Sequence, residues 1–139
     1  MSSPVAERSL KGDRIGISMV CCPGIDLLSI SGEFDAFSGH LLRRIVDDSP
    51  HGHQPQVVFD LSNVTFMDAG ALGTIAYCRR MLVARSTELS LVCPDGQPLR
   101  LLRLLGLDRV WPVHPTREDA LRRQSSDDAS RRTMNRTSA

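Results

Sequence analysis

Residues 56–84 constrain the fold of this chain more than any other stretch. Residues 57–61 (VVFDL) form a short apolar run that is β-branched at its start, which is typical of a buried strand in an α/β sheet. Residues 62–63 (SN) are polar and are expected to end that strand. Asp68 stands directly before a helical pattern, where its carboxylate can accept a hydrogen bond from the unpaired N–H groups of the first turn. The stretch therefore predicts a strand, a loop and a long helix in succession.

Two rows of side chains follow the predicted central helix at helical spacing. The first row is apolar and is expected to pack on the sheet. Its members are Leu72, Ile75, Cys78 or Arg79, and Leu82. The second row consists of Gly70, Thr74, Tyr77 and Met81. Two interpretations of the second row stay open: contact with a neighbouring helix, or contact with a protein partner, because Tyr and Met are enriched at interfaces.

Small side chains occupy the first turn of this helix. They are Ala69, Gly70, Ala71 and Gly73. Small residues at a helix N-terminus leave its backbone N–H groups accessible to a partner or an anion. We therefore expect the functional surface at the start of the central helix.

The chain before this unit predicts two strands and a helix. Residues 14–22 and 25–30 are apolar and are separated by the turn signal Pro23-Gly24, which predicts a hairpin. Gly32 is expected to end the second strand, and Asp35 to cap the helix that follows. The apolar residues of that helix are Ala36, Phe37, Leu41, Leu42, Ile45 and Val46.

The chain after the central helix continues to alternate. Strands are predicted at 88–93 and 109–113, and helices at 97–105 and 116–123. Gly106 suits the C-terminal end of the first of these helices. Pro112 has no N–H to donate to a ladder, so the final strand is expected at an edge of the sheet.

This alternation predicts an α/β fold with a single domain over residues 14–123. The sheet is expected to be mixed and four- to five-stranded, with an N-terminal hairpin, and to pack against about four helices. Residues 1–13 are polar and are expected to be loosely ordered. Residues 124–139 are too polar to bury a core, so a disordered tail is expected there.

Two motifs carry a resemblance to a known family. The block FDLSNVTFMDAGALGTI (residues 59–75) resembles the signature of the STAS domains of anti-sigma-factor antagonists, in which a strand leads through a turn into Asp-Ser-Ser-Gly-Leu-Gly. The family's second signature, Gly-Glu-Leu-Asp, is matched by Gly32-Glu33-Phe34-Asp35. The spacing of the two motifs and the order of elements over residues 14–122 also agree with the family.

The resemblance implies a bacterial protein that binds an anti-sigma factor of the histidine-kinase-like ATPase fold and so frees a sigma factor for transcription. One departure from the family pattern changes the expected regulation. The hydroxyl that the family's partner kinase phosphorylates falls at Gly70, which cannot accept a phosphate. The partner-binding residues expected here are Glu33, Asp35, Asp68, Ala69, Gly70, Ala71, Thr74, Tyr77 and Met81.

Two other functions stay open. A ligand- or redox-sensing STAS module in a larger assembly would use Cys78 and Cys93 as redox residues, although buried, inert thiols are the simpler expectation. A nucleotide-binding or hydrolytic protein would use Asp35 and Asp68 as a metal-binding or acid–base pair. Two helix caps are the more common arrangement for such acids.

The remaining composition excludes several classes. The four histidines are scattered, and the four cysteines lack zinc-ligand spacing, so we expect neither a metal nor a cofactor. We find no phosphate loop or nucleophile elbow, and we expect no enzyme activity. The net charge of +1 gives no argument for nucleic-acid binding. Without a secretory leader or an apolar run of about 20 residues, a cytoplasmic protein is expected, and a homodimer is possible.

Overall fold

The structure is a computed structural model that describes residues 6–48 and 54–122. Within this part of the chain, six strands form one sheet and four α-helices pack against it. The strands are β1 (Ala6–Lys11), β2 (Ile15–Cys22), β3 (Ile25–Phe34), β4 (Gln56–Met67), β5 (Glu88–Val92) and β6 (Val113–His114). The helices are α1 (Gly39–Asp47), α2 (Ala69–Ala84), α3 (Gln97–Leu104) and α4, residues 117–122.

The spatial order of the strands follows their order in the chain, from β1 to β6. The pairs β1–β2 and β2–β3 are antiparallel, whereas β3–β4, β4–β5 and β5–β6 are parallel. The predicted N-terminal hairpin and the mixed α/β sheet are therefore confirmed. The sheet has more strands than the four or five predicted.

Alternation along the strands sorts the core onto two faces of the sheet. Val57 and Phe59 belong to the main core, which α1, α2 and α3 cover. Val58, one position on, belongs to a smaller cluster that contains Ala120 of α4. The first row of the central helix is buried in the main core as predicted. Its buried members are Leu72, Ile75, Cys78 and Leu82.

Three expectations about strand ends are wrong. The loose order expected for residues 1–13 is wrong for Ala6–Lys11, which form β1, because backbone pairing with β2 does not require an apolar sequence; residues 1–5 lie outside the described residues. Gly32 does not end β3: it has a φ of +88° at a bulge, where a Cβ would lie 2.1 Å from the Arg14 carbonyl oxygen. Residues 62–63 do not end β4, since Asn63 pairs with Ser31 and the strand continues to Met67.

The chain after α3 differs in detail from the prediction. Instead of a strand over 109–113, a 3₁₀ turn (Leu107–Arg109) precedes the two-residue strand β6. The edge position of β6 and the left-handed Gly106 after α3 are confirmed. Thr116 Oγ1 accepts a hydrogen bond from the Asp119 N–H at 3.1 Å and so caps α4. The tail predicted at 124–139 lies outside the described residues.

None of the helices in the described ranges is both long and apolar enough to cross a membrane.

Candidate functional site

The two signature motifs meet at one edge of the sheet. β3 and β4 are parallel neighbours, and Phe34 pairs with Met67 at the carboxyl ends of both strands. Asp35 and Asp68 follow directly, and the Asp68 N–H donates to the Phe34 carbonyl oxygen at 3.4 Å. Ligand and partner sites of α/β sheets gather at such edges. The two acids that the sequence offers as a possible pair therefore follow neighbouring strand ends at the same edge of the sheet.

Asp68 is the N-cap of α2. Its Oδ1 accepts a hydrogen bond from the Ala71 N–H at 2.9 Å, as predicted. The Met67 backbone just before it is held by the Gln97 side chain. The Gln97 amide accepts from the Met67 N–H at 2.9 Å and donates to the Met67 carbonyl oxygen at 2.7 Å. No local sequence pattern identifies Gln97, because it lies 30 positions from Met67 in the chain.

Asp35 closes a turn rather than capping a helix. Its Oδ1 accepts from the N–H groups of Phe37 (3.0 Å) and Ser38 (2.9 Å), and the Ser38 hydroxyl accepts from the Asp35 N–H (2.9 Å). The hydrogen bond from the Ser38 backbone is the main cause that lowers the pKa of Asp35 below 3.8, its ordinary value. α1 begins only at Gly39, so the predicted helix-capping role is corrected. We call residues 35–38 the aspartate turn.

The aspartate turn rests on the start of α2. A Cβ on Gly70 would lie 2.4 Å from the Ala36 Cβ and 2.8 Å from the Ala36 Cα. One turn further along, a Cβ on Gly39 would lie 2.1 Å from Thr74 Oγ1. Two glycines thus let α1 and α2 approach closely. The expected free access to the helix start is corrected at Gly70, because Ala36 covers that position.

The second row of α2 side chains contacts α1. Thr74 is only 2% exposed, and the Tyr77 hydroxyl donates to Asp47 Oδ2 at 3.2 Å. The Arg43 guanidinium lies 4.7 Å from the centroid of the Tyr77 ring, at cation–π distance. Met81 packs partly buried against the main core. The contacts of Thr74 and Tyr77 support the helix-packing interpretation of this row. Because Thr74 is buried, its predicted role as a partner-binding residue is corrected.

Other parts of this edge remain exposed. Ala69 and Gly73 lie on the open side of α2, and a Cβ on Gly73 would meet nothing within 4 Å. Glu33 is partly exposed and forms an ion pair with Arg14 at 3.3 Å. Phe37 is 86% exposed, although its place in the apolar pattern predicted a core-facing helical residue. A cleft of about 400 Å³ lies beside the aspartate turn.

Cys78 and Cys93 lie in the core, with exposures of 0% and 1%. Burial raises the pKa of Cys78 to about 12 and that of Cys93 to about 11. The thiolate is the reactive form of cysteine, so both thiols are poor nucleophiles at neutral pH. This environment fits the simpler expectation of inert thiols and gives no support to a redox sensor.

The acidic pair offers little for metal or acid–base chemistry. Asp35 and Asp68 each accept backbone N–H groups, which leaves their carboxylates in structural roles. Among residues 6–48 and 54–122, no group of three or more His, Cys, Asp and Glu side chains is arranged to hold a metal ion. The geometry of this pair therefore favours two structural roles, a turn closed by Asp35 and a helix capped by Asp68.

The model of the STAS domain family matches residues 17–120. The chain belongs to this family, and its relatives are named anti-sigma factor antagonists. RsfA of Mycobacterium tuberculosis, an anti-sigma-F factor antagonist, is 31% identical over 102 residues, which cover 68% of this chain and 76% of the relative. An anti-sigma F factor antagonist of Paenibacillus polymyxa is 29% identical over 100 residues, with coverages of 70% and 85%.

The fold agrees with solved structures of anti-sigma factor antagonists. The crystal structure of an anti-sigma factor antagonist from Mycobacterium paratuberculosis is 26% identical, has a TM-score of 0.67, and is matched over 87% of this chain and 96% of its own. SpoIIAA in its unphosphorylated form has a TM-score of 0.64 at 19% identity, with coverages of 87% and 97%, which supports the fold alone. The family assignment made from the two signatures is confirmed.

Proposed function

We propose that this protein is an anti-sigma-factor antagonist that binds an anti-sigma factor in the cytoplasm and thereby releases a sigma factor for transcription. The names of its relatives support this role. The observation that carries it is that both family signatures meet at one edge of the sheet, where the aspartate turn packs against the first turn of α2. The partner is expected to have the histidine-kinase-like ATPase fold that the family resemblance implies.

The partner surface we propose is smaller than the sequence suggested. Glu33 and Ala69 are accessible at this edge, whereas Thr74 is buried. Asp35 and Asp68 contribute indirectly, because their carboxylates accept backbone N–H groups and so hold the aspartate turn and the helix start in place. Binding by pre-shaped backbone avoids the entropy cost of ordering a loop.

We further propose that binding is not switched off by phosphorylation at the family's usual position. Gly70 carries no hydroxyl, and its neighbours Ala69 and Ala71 carry none either. Thr74, the next hydroxyl along α2, is buried and donates to the Gly70 carbonyl oxygen at 3.3 Å. A partner kinase would therefore meet no acceptor in the first turn of α2.

Titration calorimetry against each kinase-like anti-sigma factor encoded in the source genome tests the proposal. We expect a saturable complex with at least one of them. Incubation of that complex with ATP, followed by peptide mass spectrometry, should leave residues 64–79 unmodified. Failure to bind any of these factors would refute the antagonist role. Phosphate on Thr65 or Thr74 would show that the partner uses another acceptor near the helix start. That result would contradict the absence of a phosphorylation switch and leave the antagonist role intact.

A further inference from the structure

Phe37 is the most exposed large apolar side chain in the described part of the chain, at 86%. Single exposed apolar side chains are common on protein surfaces, so exposure alone decides nothing. What distinguishes Phe37 is the backbone that holds it. Its own N–H donates to Asp35 Oδ1 at 3.0 Å, and the next N–H, of Ser38, donates to the same atom at 2.9 Å.

The turn that carries Phe37 also packs against α2. Ala36, the preceding residue, lies against Gly70 at the start of α2, and Gly39 lies against Thr74. The Ser38 hydroxyl adds hydrogen bonds to the aspartate turn itself. The phenyl ring is therefore presented to solvent by a pre-organised backbone, which reduces the entropy lost when such a ring is captured by a partner.

Charged groups surround the ring on one side. Besides Phe37, the side chains of Asp13, Arg14, Glu33, Asp35 and His40 line the cleft of about 400 Å³ beside the aspartate turn, and His40 is counted as neutral in the formal charge. Three carboxylates therefore face one guanidinium, and Arg14 is already engaged with Glu33 at 3.3 Å. The surroundings of the ring are acidic, which favours a partner surface that carries basic groups.

We propose that Phe37 is the anchor of the partner interface: its ring inserts into an apolar pocket on the partner, and basic groups around that pocket face the acidic cleft. This inference rests on the proposed function, since the partner is taken to be an anti-sigma factor. It also explains the glycine at position 70. A side chain there would push the aspartate turn away from α2 and displace the ring.

The test compares Phe37→Ala with Leu104→Ala in the full chain. Leu104 is 80% exposed near the end of α3, so its variant removes a similarly exposed apolar side chain away from the aspartate turn. The probe is the anti-sigma factor that binds the wild type in the calorimetric panel. We expect Phe37→Ala to weaken binding about tenfold or more and Leu104→Ala to change it by less than about twofold. Neither variant should lower the melting temperature.

A second measurement addresses the basic pocket. Raising the salt concentration from about 0.05 to about 0.5 M should weaken wild-type binding, and Asp13→Asn should reduce that salt dependence. Equal affinities of wild type and Phe37→Ala would overturn the anchor and leave the proposed function standing. Equal losses in the Phe37 and Leu104 variants would also overturn it. If the wild type binds no factor in the panel, the proposed function falls and the anchor falls with it.

Discussion

Gly70 packs so closely against Ala36 that an added Cβ on Gly70 would sit 2.4 Å from the Ala36 Cβ. Real Cβ atoms essentially never approach this closely. The position at which the family resemblance implies a phosphorylated hydroxyl thus packs against the aspartate turn, in addition to lacking the hydroxyl. Chemistry and packing point to the same consequence for regulation.

Gly70→Ala should destabilise the protein. Forcing a methyl group into a filled contact costs about 1–3 kcal/mol, which outweighs the gain of less than about 1 kcal/mol from replacing a helical glycine. Gly73→Ala is the matched control, because it lies in the same helix and its Cβ would meet open space. That variant should be stabilised by about 0.5–1 kcal/mol. Urea unfolding measures the free energy of unfolding of both variants. Equal values for Gly70→Ala and Gly73→Ala would show that the aspartate turn shifts to accommodate the methyl group.

Asp60→Asn should release α4 from the sheet. Asp60 is 3% exposed and accepts hydrogen bonds from the Ser62 N–H and hydroxyl and from Arg117 Nε, while Arg117 Nη2 donates to the Ser29 hydroxyl at 2.7 Å. Arg117 is half exposed, so the loss is expected at about 1–3 kcal/mol, below that of a fully buried pair. A double-mutant cycle with Arg117→Ala should show coupling; additive losses would mean that the pair contributes nothing.

Acid should weaken the fold through the same groups. Burial raises the pKa of Asp60, but the hydrogen bonds from Ser62 and Arg117 outweigh it, and the net pKa lies below the ordinary 3.8. The pKa of Asp35 is lowered as well. A lowered folded-state pKa contributes stability above the unfolded value, which is lost as the pH falls through the folded value. The free energy of unfolding should therefore fall below about pH 3.8, with a smaller slope in Asp60→Asn.

The thiols of Cys78 and Cys93 should react slowly in the native state. Both are buried, whereas Cys22 is partly exposed and provides the internal comparison. Mass spectrometry after timed alkylation at neutral pH should show Cys22 modified first, with Cys78 and Cys93 modified only in denaturant. A loss of partner affinity on oxidation that Cys78→Ser or Cys93→Ser abolishes would contradict this and restore the redox-sensing alternative.

Local chemistry predicted the parts of the site that depend on neighbours in sequence. Asp68 was predictable as a cap because a carboxylate directly before a helix can accept a hydrogen bond from the first-turn N–H groups. The row from Leu72 to Leu82 was predictable as buried because its apolar residues recur at helical spacing. The sequence pattern wrongly placed Phe37 in the first helix, because an apolar residue just before a periodic stretch looks like part of that stretch. The hydrogen bonds between Asp35 and Ser38 instead form a turn and delay the helix to Gly39.

Contacts between distant segments could not be predicted in this way. The sequence alone suggests that Gly70 is an accessible helix start. In the fold, Ala36 of the aspartate turn packs against it, although the two residues are 34 positions apart in sequence. Likewise, β1 is polar and pairs through its backbone, so no side-chain pattern announces it. Both features belong to the tertiary arrangement rather than to local propensity.

The Gln97 side chain has one more consequence for how a partner can attach. β5 pairs with β4 only as far as Asp60, so the later part of β4 has no strand beside it on that side in the described structure. At Met67 the Gln97 side-chain amide takes the place of a neighbouring strand, because it offers one donor and one acceptor as a peptide group does. An incoming extended peptide would find both backbone groups of Met67 already occupied. A partner that docks beside Asp68 would therefore bind through surfaces and side chains, and would not add a strand to the sheet at that residue.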